Sequence, residues 1–77
     1  MTADVRRLTL YGRPGCHLCD DARAILDRVG APYRVVDIDQ DDDLLKKYLE
    51  RIPVVTLDGD ELFELFVDEK SLRAQLE

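Results

Sequence analysis

The stretch Leu10-Tyr11-Gly12-Arg13-Pro14-Gly15-Cys16-His17-Leu18-Cys19 decides how this chain is read. Upstream of it, residues 5–11 read as a strand, with Leu8 and Leu10 on one face and Thr9 and Tyr11 on the other. Gly12, Arg13, Pro14 and Gly15 end that strand, because glycine and proline suit turns and interrupt a hydrogen-bonded ladder. Downstream, Leu18, Ala22, Ile25, Leu26 and Val29 recur at the spacing of one helical face. Gly30 and Pro32 then stop the helix. Both cysteines therefore fall where a strand passes through a tight turn into a helix.

That placement has chemical consequences. The first turn of a helix leaves backbone N–H groups without internal partners, and its dipole favours negative charge. A thiolate at Cys16 would gain from both, which makes Cys16 the expected nucleophile. Cys19 follows by about one helical turn, so its sulfur returns beside that of Cys16 and can act as the resolving thiol of a mixed disulfide. Arg13, and His17 when protonated, favour a thiolate there, whereas Asp20 and Asp21 oppose it. A bond between cysteines this close closes almost no loop and staples little, so the pair is placed for chemistry and not for holding the fold. One Cys-x-x-Cys supplies two ligands where zinc or an iron–sulfur centre normally needs about four. No metal ligands are therefore assigned within the chain, although a site shared between two chains stays open.

Residues 33–38 read as a second strand, apolar enough to lie inside a sheet. The acidic run at residues 39–43 is expected to cap the next helix, whose inner side carries Leu44, Leu45, Tyr48 and Leu49. Lys46, Lys47 and Arg51 stand towards its end. Pro53 opens a third strand, Val54–Leu57, and Asp58-Gly59 is a two-residue hairpin signal. Residues 61–65 return as the fourth strand. Asp68 caps a last helix, with Val67 and Leu72 as a hydrophobic staple across the cap.

Composition narrows the function. The chain has 77 residues, enough for one domain and no linker, so a single domain over residues 1–77 is expected. Eleven basic against seventeen acidic residues leave a net charge of −6, which argues against a nucleic-acid partner. Nothing approaches the roughly 18 apolar residues of a membrane helix, and the N-terminus shows no secretory signal. The expected setting is a reducing, cytoplasmic one, with no membrane partner.

The segment from Leu10 to Cys19, with Ile52-Pro53-Val54-Val55 and Gly59 downstream, resembles the glutaredoxin-like branch of the thioredoxin superfamily. The likeness runs from about Leu8 to Leu76. It implies an α/β thioredoxin fold, ordered βαβ-α-ββα, with a four-stranded mixed sheet flanked by three helices. It also implies a dithiol oxidoreductase that reduces protein or glutathione mixed disulfides. Its partners would be protein disulfides, with glutathione or a reductase as electron donor. Glutathione would serve as co-substrate, no cofactor would be tightly bound, and the chain would work as a monomer. A cis bond before Pro53 would face the cysteines and leave the backbone of Ile52 free to pair with an extended substrate. Arg13 stands where glutaredoxins carry a basic residue that contacts the glutathione carboxylate, and His17 would tune the redox potential. Arg13, His17, Ile52 and Pro53 are therefore the candidate substrate-binding residues. Two departures stand out. His17-Leu18 replaces the usual Pro-Tyr, and Phe63-Glu64 stands where a Gly-Gly pair is expected. An interaction domain with redox-sensing cysteines, or a metal or iron–sulfur carrier between two chains, is the alternative reading.

Overall fold

The structure, a computed structural model, describes residues 7–76. Its elements are β1 (Leu8–Gly12), α1 (His17–Val29), β2 (Tyr33–Asp37), α2 (Asp42–Tyr48), β3 (Val54–Leu57), β4 (Asp60–Glu64) and α3 (Glu69–Leu76), with a 3-10 turn at Ile38–Gln40 before α2. The strands form one mixed sheet in the order β2-β1-β3-β4. β1 pairs parallel to β2 and antiparallel to β3, and β3 pairs antiparallel to β4. Val5 and Arg6, expected in the first strand, lie outside the described residues.

Local chemistry accounts for the boundaries. Gly30 ends α1 in the left-handed region (φ 83°), and its N–H donates to the Leu26 carbonyl; glycine adopts that conformation without strain. Asp58 (φ 52°) and Gly59 (φ 89°) give the two left-handed residues of a tight β3–β4 hairpin. Of the acidic run, Asp41 caps α2, accepting from the amides of Asp43 (2.9 Å) and Leu44 (3.2 Å), while Asp37 serves the 3-10 turn through the Asp39 amide. At α3, the Asp68 carbonyl accepts from the Leu72 amide, and Val67 packs on the cluster that holds Leu72, as a staple does.

Two apolar clusters cover the two faces of the sheet. Leu8, Leu10, Ala22, Leu26, Val55 and Leu72 make one, where α1 and α3 lie. Cys19, Ile38, Tyr48, Ile52 and Val54 make the other, under α2. Leu26, Val54, Val55 and Leu72 are fully buried, each worth about 1.5–3 kcal/mol in apolar burial. α1 contributes to both clusters, which puts its first turn at the end of the sheet between them.

Four expectations are corrected here. The second strand is an edge strand and not an inner one, with Val35 49% exposed. The strand stops at Asp37 because Ile38 turns into the second cluster. Leu49 is 43% exposed: its backbone is still helical, but its side chain lies outside the face on which Tyr48 is buried. Leu18, placed on the buried face of α1, is also exposed.

Candidate active site

Cys16 is the N-cap of α1. Its backbone is extended (φ −92°, ψ 112°), its carbonyl accepts the first helical bond from Asp20, and its Sγ accepts from the Cys19 amide at 3.2 Å. A sulfur thus takes the place that a serine or aspartate oxygen usually fills. Cys16 is half-buried and Cys19 only 4% exposed, and both are free thiols. Burial is the main reason that the Cys19 thiol is pushed up to about 12; its side-chain hydrogen bond with Cys16 adds to this, and a backbone hydrogen bond from Arg13 acts the other way. The two sulfurs therefore differ: one is accessible and served by a helix amide, the other is sheltered and held protonated.

Gly12 explains how Cys19 fits. A Cβ at Gly12 would lie 2.9 Å from Cys19 Sγ and 3.2 Å from its Cβ. Contacts that short force something to move, so the missing side chain at the end of β1 makes room for the second sulfur. In the sequence Gly12 reads only as a strand breaker; the contact is made across the turn and has no local signal.

The remaining candidates are not gathered equally. Arg13 is tied to Asp39 (3.1 Å) and lines a cleft of about 240 Å³ with Pro14, Asp20 and Arg23, in which Cys19 forms part of the wall. His17, the first residue of α1, is exposed. The Ile52-Pro53 bond is cis, as the resemblance implies. Pro53 is fully buried, and Cys16 packs against the cluster that contains Ile52. The Ile52 N–H donates to the Tyr48 carbonyl at 3.0 Å. This corrects the expectation of a free backbone at Ile52, whose N–H is engaged within the fold.

Phe63-Glu64, the departure noted in the sequence, is part of the sheet. Both residues lie within β4, opposite Val55 and Val54, and Glu64 pairs with Arg51 at 2.9 Å. The turn that glycine would suit comes one residue later, at Leu65, whose φ is 70°. A left-handed leucine costs about 1–2 kcal/mol. It is held by its N–H, which donates to the carbonyls of Arg51 (3.0 Å) and Pro53 (2.9 Å). Leu65, expected as the last residue of the fourth strand, lies beyond β4, because an apolar run at a strand end reads as more strand. Among the described residues, no group of three or more His, Cys, Asp or Glu side chains is arranged to hold a metal ion. Likewise no helix is long and apolar enough to cross a membrane.

A βαβ unit and a ββα unit sharing one sheet, with a Cys-x-x-Cys at the first helix start and a cis proline before β3, define a glutaredoxin-like protein of the thioredoxin fold. The chain belongs to the glutaredoxin-like domain family (DUF836), whose model matches residues 7–77. Among solved structures it is similar to protein Ne2328 from Nitrosomonas europaea, at 31% identity and a TM-score of 0.83, covering 100% of this chain and 98% of that one. It is similar also to protein XcR50 from X. campestris, at 41% identity and a TM-score of 0.80, covering 90% and 93% of the two chains. The holo form of glutaredoxin C1 from Populus tremula x tremuloides matches at 27% identity and a TM-score of 0.67, over 90% of this chain and 70% of that one. No curated protein is significantly similar to the chain.

Proposed function

We propose that this protein is a dithiol thiol–disulfide oxidoreductase acting on protein or glutathione mixed disulfides. The observation that supports this most strongly is the asymmetry of the two sulfurs: Cys16 caps α1 and is accessible, while Cys19 is buried beside it and held as a thiol. The Cys16 thiolate attacks one sulfur of the substrate, forming a mixed disulfide and expelling the first substrate thiolate. Cys19 then gives up its proton and attacks Cys16 Sγ. The second substrate thiolate leaves, and a Cys16–Cys19 disulfide remains. Two electrons pass to the substrate, whose two thiolates take up protons. Glutathione, or a reductase supplying a dithiol, returns the pair to its reduced state. The high pKa of Cys19 keeps it from competing for the first attack.

The test is a redox titration in glutathione buffers with turnover of a disulfide substrate. A reversible two-electron transition is expected. Cys16→Ser should abolish turnover, and Cys19→Ser should let the mixed disulfide at Cys16 accumulate. A chain that forms no reversible Cys16–Cys19 disulfide, and whose Cys16→Ser variant behaves as wild type, would sink the reading.

A further inference from the structure

Three large apolar side chains that the fold leaves exposed, Leu18, Leu65 and Phe66, stand together in one cleft of about 240 Å³, where Asp21, Ile25 and Val67 also lie. Leu18 is two residues past Cys16, in the first turn of α1. Leu65 is bonded through its N–H to the Pro53 carbonyl. The cleft thus adjoins the dithiol along α1 and the Pro53 turn through Leu65. Two features set it apart from an incidental surface. Phe66 is 70% exposed, which leaves most of its apolar surface in water. Leu65 holds a left-handed backbone that a glycine would adopt freely, and strain of that kind concentrates where a side chain is used.

The charge of the cleft chooses the occupant. Among the described residues, Asp21 is the only ionisable side chain in its lining. Arg13, the basic residue before the dithiol, is paired with Asp39. An anionic tripeptide such as glutathione would bring its carboxylates against Asp21 and apolar walls with nothing to receive them. An apolar side chain beside a lysine or arginine meets both features: it fills the Leu18–Phe66 shelf and answers Asp21.

The geometry points to this cleft as the recognition surface of the dithiol, selecting protein disulfides whose cysteine is flanked by an apolar and a basic residue, over glutathione disulfides. The inference rests on the oxidoreductase reading above.

The experiment compares reduction of three probes by the full chain. One is a peptide disulfide with Leu and Lys beside the cysteine, another the same peptide with Ser and Glu there, and the third glutathione disulfide. The Leu–Lys peptide should exceed the other two by about tenfold or more in kcat/KM, chiefly through KM, as expected for filling an apolar pocket. Phe66→Ser should shrink the preference for Leu over Ser, and Asp21→Asn the preference for Lys over Glu. Both positions are exposed, so neither variant threatens folding. Equal rates on all probes, faster turnover of glutathione disulfide, or preferences that survive both substitutions would overturn the inference while leaving the oxidoreductase intact. A chain that reduces none of the probes and forms no reversible Cys16–Cys19 disulfide overturns the oxidoreductase reading itself, and this inference with it.

Discussion

At the scale of single residues, the two cysteines show how placement divides labour between identical side chains. Cys19 keeps its proton to about 12 where the ordinary value is 9.0, chiefly because burial penalises its thiolate. Between those values the folded chain binds more protons than the unfolded one, so this group's contribution to stability is whole below pH 9 and is lost as pH rises. Denaturation of wild type and Cys19→Ala across alkaline pH should therefore show a steeper loss in wild type. Parallel slopes would mean that Cys19 is not sheltered. The nucleophile, its partner and the helix between them were legible in the spacing, because a Cys-x-x-Cys at a helix start is a local pattern. The role of Gly12 was not, since its empty Cβ position matters only against a sulfur seven residues on.

At the scale of elements, local signals placed the boundaries to within a residue or two wherever a cap or turn residue marked them. Gly30, Asp41 and the Asp58-Gly59 hairpin are of that kind. What failed depends on the assembled sheet. The rank of β2 as an edge strand follows from β3 taking the other side of β1, which the apolarity of residues 33–38 cannot reveal. Leu49 looks buried on a helical wheel and its backbone is still helical, but its side chain falls outside the face on which Tyr48 is buried. The contrast is measurable. Leu26→Ala, at a fully buried site in α1, should cost about 2–5 kcal/mol. Leu49→Ala should cost no more than about 0.5 kcal/mol, as at other exposed sites. Denaturant midpoints of the two variants decide it, and comparable losses would return Leu49 to the core.

At the scale of the whole molecule, the chain packs helices on both faces of the sheet, and exposed charges tie the helices to one another. Glu69 at the start of α3 accepts from Arg28 at the end of α1 (2.6 and 2.8 Å) and from Arg73 one turn on (2.9 and 3.1 Å). Arg28 first, then Arg73, holds the Glu69 carboxyl below its ordinary value of 4.5. The stability this adds is present above that pH and disappears as acid protonates the carboxylate. Glu69→Gln should accordingly lose a small increment of stability at neutral pH, as is usual for exposed pairs, and flatten the acid limb below pH 4.5 by the same increment. A thermal denaturation series from neutral to acid pH reads this directly; an unchanged acid limb would remove Glu69 from the account. The same helix, α1, joins both clusters and begins on Cys16 Sγ. The side-chain acceptor that caps it is thus also the atom on which a covalent bond would be made and broken. The Cys19 amide proton is in this sense a native gauge wired to the sulfur: whatever Cys16 carries, the resonance and exchange rate of that one proton will register it.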